Sequence, residues 1–189
     1  MLTFDDGPDP DSTPAVLDAL DGAGAKATFF LVGEQLMAHP SLGSEIARRG
    51  HETALHGFEH REHGEMGPAV RDDLARGLGT VEAATGRRPR WYRPPYGRFS
   101  ELSYEACARL GLEPVYWSGW GMDWEAIGPQ RIAEMVGRDL AGGAIVLLHD
   151  SARYADRQTA APTAEAIPLI AAEAREAGLR LVTLEQSNR

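Results

Sequence analysis

Cysteine is all but missing, with Cys107 the only one in 189 residues. An internal disulfide and a cysteine-bound metal cluster are therefore excluded. Within the helical pattern "SYEACARLGL" the thiol reads as a small buried side chain. Lysine is almost as scarce: Lys26 stands alone among 19 basic residues. Acidic residues number 28 and the net charge is −9, which argues against a nucleic-acid partner, since a phosphate backbone needs clustered cations. No apolar run approaches the ~18 residues of a transmembrane helix. The start of the chain shows neither the basic nor the apolar segment of an export leader. No GxGxxG or P-loop pattern follows a candidate strand, which lowers nucleotide-binding readings. Repeats, linkers and low-complexity tracts are also lacking, so residues 1–189 are expected to form a single domain.

What the chain does have is alternation. Helical segments are expected in "STPAVLDALDGAG", "HPSLGSEIARRG", "GPAVRDDLARGLGTVEAATG", "SYEACARLGL", "GPQRIAEMVGRDLAGG" and "TAEAIPLIAAEAREAGL". Ser12 or Thr13 caps the first, and Pro168 is a candidate kink in the last. Between them lie apolar runs of strand type: "KATFFLVG", "HETALHGFEH", "RWYRPPYG", "EPVYWSGW", "GAIVLLHD" and finally "RLVTLEQ". Unbroken apolar strands alternating with helices predict an α/β fold with a parallel sheet under helical cover. About seven such units favour a TIM-like barrel over an open sheet, with its first strand short, since only Met1 to Phe4 precede the first acidic pair. In such folds chemistry gathers at the carboxyl ends of the strands.

Polar residues do collect there. The first strand ends in Asp5-Asp6, the third in His56-Gly-Phe-Glu-His60, the fourth in Arg93-Pro-Pro-Tyr96, the fifth near Asp123-Trp124, and the next in His149-Asp150. His56 and His60, four apart, reach one ion if they share a helical turn, or are two surface histidines in a polar loop. A carboxylate from another strand end would complete a two-histidine, one-carboxylate set with open positions for water and substrate. Asp5 and Asp6 either form an acidic turn or divide the labour, one binding a cation and the other acting as base on water. His149, carried by a rigid strand, is a candidate proton donor or a structural histidine. Arg93 either pins a carboxylate through a two-pronged contact or is one more surface arginine.

Taken in order, "TFDDGP", "HGFEH", "RPPYG", "DW" and "IVLLHDS" closely resemble the five motifs of the polysaccharide deacetylase family, the NodB-homology domain of carbohydrate esterase family 4. The resemblance implies a distorted (β/α)7 barrel and a metal-dependent hydrolase. Such an enzyme removes N-acetyl groups from N-acetylglucosamine-containing glycans, peptidoglycan or chitin-like. It implies Asp5 as base, Asp6, His56 and His60 as metal ligands, and Arg93 as the arginine orienting the base. It implies His149 as acid, tuned by Asp123. The Tyr96 backbone amide corresponds to an oxyanion donor, and Trp124, Leu147 and Pro95 line the substrate pocket. Zinc is the cofactor implied first, with cobalt or another divalent ion in some relatives. The expected partner is an acetylated glycan, and a monomer is favoured. The family's polymeric substrates point to an extracytoplasmic location, although no signal peptide is visible.

Two departures from the family pattern stand out. Gly57 occupies a position that usually carries Ser or Thr after the first histidine ligand, so a hydrogen bond bracing that loop is expected to be lost. Trp120 replaces an aspartate, and either stacks on a sugar ring or packs in the barrel wall. Alternatives of substrate and class remain: an O-acetyl esterase of acetylxylan type, a small-amide hydrolase, or a catalytically weak glycan-binding barrel.

Overall fold

A computed structural model describes residues 1–187. Seven strands form one sheet: β1 (Leu2–Asp5), β2 (Ala27–Leu31), β3 (Glu52–Leu55), β4 (Trp91–Tyr92), β5 (Glu113–Pro114), β6 (Gly119–Trp120) and β7 (Val146–His149). Their order is β5-β4-β3-β2-β1-β7-β6, and every pairing is parallel. The sheet curls into a half-barrel, with β5 and β6 as its two edges. β1 is short, as expected, yet it sits at the centre and pairs with both β2 and β7. All four of its residues are buried.

The helices are α1 (Thr13–Ala23), α2 (Gly33–Ala38), α3 (Pro40–Arg48), α4 (His63–Met66), α5 (Val70–Thr85), α6 (Glu101–Leu110), α7 (Pro129–Asp139), α8 (Ala161–Glu176) and α9 (Leu184–Ser187). Proline opens α1, α3 and α7 within the first turn, where its missing N–H costs nothing. Gly24, Gly86 and Gly111 end α1, α5 and α6 in the left-handed conformation. α8 runs through Pro168. Phe4 and Phe29, stacked at 5.1 Å between ring centres, join Leu2, Leu31, Leu55 and Val146 in the core between sheet and helices. Cys107 is buried in α6, as its pattern indicated.

Two expectations are corrected. "EPVYWSGW" is not one strand, because β5 and β6 are separate edges joined by residues 115–118. "RLVTLEQ" is not a strand. Its nearest strands, β2 and β3, already have neighbours on both sides. Its amides find other acceptors: Leu184 N donates to Thr28 Oγ1, Glu185 N to Glu52 Oε2, and Thr183 and Gln186 cap each other ahead of α9.

Candidate active site

Sheet register places the chemistry. Asp5 is the cross-strand partner of His149. His56 and Arg93 each follow by one residue a paired position, Leu55 and Tyr92, which are themselves partners. Four strand ends thus deliver polar side chains to one level. Asp5, His56 and His149 line a cleft of about 410 Å3, together with Asp6, His60 and an aromatic wall, while Arg93 lies buried behind Asp5.

Adjacent strand residues normally face opposite ways. Asp6 escapes this because its backbone turns left-handed (φ 80°) just past the end of β1, a conformation aspartate tolerates better than most side chains. Both carboxylates are then buried beside the cleft, Asp5 3% and Asp6 4% exposed. Asp150 pins this turn. Its carboxylate accepts from Gly7 N (3.1 Å) and Thr13 Oγ1 (2.5 Å), while Ser12 Oγ donates to its carbonyl. The residues expected to cap α1 are thus diverted to fastening the β1 turn. Burial, with the Asp6 charge nearby, pushes Asp150 up to about 7 against the pull of Thr13.

Asp6, His56 and His60 converge. Asp6 Oδ1 lies 3.1 Å from His60 Nε2 and 3.4 Å from His56 Nε2, and the three donor atoms lie within 4.8 Å of one another. A tetrahedral ion with bonds near 2.1 Å needs its ligand atoms about 3.4 Å apart, so this donor set fits a divalent cation. His56 Nδ1 donates to the Arg93 carbonyl at 2.8 Å, which leaves the Nε2 lone pair for the ion. Burial alone would raise Asp6. Hydrogen bonds from His56 and His60 reverse this and hold it well below the carboxylate range.

Arg93 is fully buried, so the surface-arginine reading is overturned. The two-pronged contact is corrected as well: Nη1 alone reaches Asp5 Oδ1 (2.7 Å), and it also meets Thr3 Oγ1 (2.8 Å). The remaining nitrogens donate to the Val115 and Tyr116 carbonyls, in the segment joining β5 to β6. Arg93 therefore ties Asp5 to the segment between β5 and β6. Its desolvation is eased by Phe30, whose ring lies 4.1 Å from the guanidinium.

On the other flank, Asp123 is fully buried and receives four donors. His149 Nδ1 (2.9 Å), His149 N (2.8 Å) and Thr163 Oγ1 (2.7 Å) are hydrogen-bonded, and Arg157 Nη2 stands at 3.5 Å. Burial would lower His149, but the Asp123 charge and hydrogen bond, with Asp6 and Asp5 behind them, raise it to about 9. His149 is thus held protonated, with Nε2 free of the Asp123 bond.

The walls are aromatic. Trp124 stands edge-on to His149 (5.8 Å) and to Trp120 (6.1 Å). Trp120 is 42% exposed and lines the cleft, so it faces the mouth and not the barrel wall. Leu147 and Tyr96 complete the lining, the latter left-handed at φ 57°. Pro95, expected in the pocket, is buried and is not among the residues lining the cleft. Arg157 and Tyr154 went unnoticed in the sequence, and Asp150 was read only as part of a strand end. The Tyr154 ring stacks on His60 at 3.9 Å and its hydroxyl accepts from Gln35. Only Asp150 carried a signal, its place beside His149.

A buried two-histidine, one-aspartate set, flanked by an arginine-held carboxylate and a carboxylate-held imidazole at the strand ends of a parallel half-barrel, defines a hydrolase of metal-site type. Comparison with known proteins narrows this. Residues 1–115 match the family described as Polysaccharide deacetylase, and the chain belongs to that family. It is 38% identical over 151 residues to a chitooligosaccharide deacetylase of Bradyrhizobium sp., covering 79% of this chain and 69% of that one. It is 34% identical over 190 residues to a peptidoglycan-N-acetylglucosamine deacetylase of Bacillus cereus, covering 98% and 85%. A family 4 carbohydrate esterase from Streptomyces lividans, solved in complex with acetate, superposes with a TM-score of 0.85 at 32% identity, covering 95% and 88%.

Proposed function

We propose that this chain removes N-acetyl groups from N-acetylglucosamine-containing glycans, peptidoglycan or chitin-like, and releases acetate. One observation carries the reading: Asp5 and His149 face each other across neighbouring strands beside the Asp6–His56–His60 set. A divalent ion held by Asp6 Oδ1 and the two Nε2 atoms, zinc foremost, would supply Lewis-acid polarisation of the acetyl carbonyl and acidify water. Asp5, fixed by Arg93, takes a proton from the attacking water. The Tyr96 amide donates to the developing oxyanion, an interaction typically worth ~3 kcal/mol. His149 gives its Nε2 proton to the leaving nitrogen as the C–N bond breaks, and Asp123 holds the imidazolium in place. Acetate and a free amine result. Trp124 and Leu147, which line the cleft, shelter the acetyl methyl.

The catalytic unit is the whole 1–189 stretch as one domain. Supporting this, β1 at the start of the chain is flanked by β7 near its end. Its action lies outside the cytoplasm, where polymeric glycans of this class are found. Acetate release on chitooligosaccharides, peptidoglycan and acetylxylan, with zinc and after chelation, tests the reading. Zinc-dependent release from the two N-acetylated substrates is expected. Release only from acetylxylan, or undiminished release after chelation, would refute it.

A further inference from the structure

The loop from His56 to His60 carries both histidines, and its bracing does not come from within itself. Gly57 adopts φ 93°, where a Cβ would meet Glu59 O at 3.0 Å and Asp73 Oδ2 at 3.2 Å. A side chain there would be strained by the left-handed backbone and crowded by both oxygens. The space is taken by the Asp73 carboxylate, from the first turns of α5. Its Oδ2 accepts from Phe58 N and its Oδ1 from Glu59 N, both at 2.9 Å.

Nothing else explains this carboxylate. It is buried, at 7% exposure, and no basic side chain lies within ion-pair distance of it among the described residues. Burying an anion without a cation is costly unless several donors meet it. The neighbouring turn of α5 is shaped for the same loop. Gly77, one turn on, lies so close that a Cβ would meet Phe58 N at 2.9 Å. The Arg76 guanidinium covers the Phe58 ring at 3.6 Å. Residues at i, i+3 and i+4 share one helix face, so α5 grips the tip between the two histidines.

We propose that Asp73 is a positioning residue for the metal centre, supplying through two backbone amides the loop brace that Gly57 cannot give. The inference rests on Asp6, His56 and His60 binding a divalent ion. With both amides held, the two Nε2 atoms stay aimed at one point. Without the carboxylate, the Phe58 and Glu59 amides lose their acceptor and the histidine spacing relaxes.

The test is zinc affinity of the full chain by competition with a chromophoric chelator, together with the cobalt(II) visible spectrum and the melting temperature of the metal-free protein. Asp73→Asn, in which an amide N–H2 opposes one loop N–H, is expected to weaken zinc binding about 10- to 100-fold and to alter the cobalt bands. Asp73→Ala is expected to do the same, and if it does not fold, Asp73→Asn decides alone. Asp73→Glu, keeping the carboxylate, is expected to recover part of the affinity. A purely structural role would lower the metal-free melting temperature and leave zinc affinity within twofold of wild type, which overturns the proposal. If wild type itself binds no zinc, the metal-site reading fails first, and the two failures stay distinguishable.

Discussion

At the scale of single residues, two groups of the site are each held by a buried partner of opposite charge. Asp5 is held by Arg93 and His149 by Asp123. Asp5→Asn is expected to keep bound zinc and the fold while lowering kcat by about 10^2- to 10^4-fold, the usual contribution of a positioned proton acceptor. Unchanged kcat with metal retained would remove Asp5 from the role of base. With His149 as the proposed acid, activity is expected to fall as pH rises through its pKa. A bound cation offsets the Asp5 and Asp6 charges, which puts the alkaline limb of the loaded enzyme below about 9. Asp123→Asn removes the main raising influence and is expected to move that limb to lower pH. A stationary limb would assign it to another group. The same raised pKa adds conformational stability that is full below the unfolded value near 6.5 and is lost as pH rises through about 9. A chemical-denaturation series across that window checks the sign.

Elements set the distances between those partners. The β1 turn is fastened by a residue just past the end of β7, with Ser12 and Thr13 at the start of α1 supplying the hydroxyls. Asp150→Ala leaves Gly7 N and the Thr13 hydroxyl without their acceptor, at a cost of about 1–3 kcal/mol. Urea unfolding is expected to show that loss, and zinc affinity to fall with it, because Asp6 is the residue before Gly7. A loss of stability with affinity intact would mean that Asp6 holds its place without the latch. The long helices were legible from glycine stops and proline starts. The short ones, α2, α4 and α9, were not, because fewer than two full turns carry too little periodicity to read. "RLVTLEQ" misled for a related reason: its composition suits a strand, but the sheet offers no free edge beside β2 and β3.

For the molecule as a whole, the half-barrel and the metal site are expected to support each other, since ligands from β1 and from the loop after β3 meet at one ion. A cation that binds only the folded chain stabilises it by about 2.7 kcal/mol at a hundredfold excess over Kd. In a chain of this size that is about 5–10 °C in Tm. Chelation is expected to lower Tm by that amount, and zinc to restore it. Equal melting temperatures with and without zinc would uncouple site from fold. Among the described residues no helix is long and apolar enough to cross a membrane.

The sequence by itself determined the parallel α/β architecture, because strand and helix periods alternate along it. It also pointed to the candidate site, because five short polar motifs interrupt that apolar pattern at the strand ends. Only the tertiary structure decided their arrangement. Register put Asp5 opposite His149, a left-handed turn brought Asp6 beside Asp5, and burial made Arg93 a partner of Asp5. Asp73 and Arg157 were silent for the same physical reason: each acts on residues far away along the chain. A buried carboxylate or guanidinium takes its meaning from the donors and acceptors that folding brings to it.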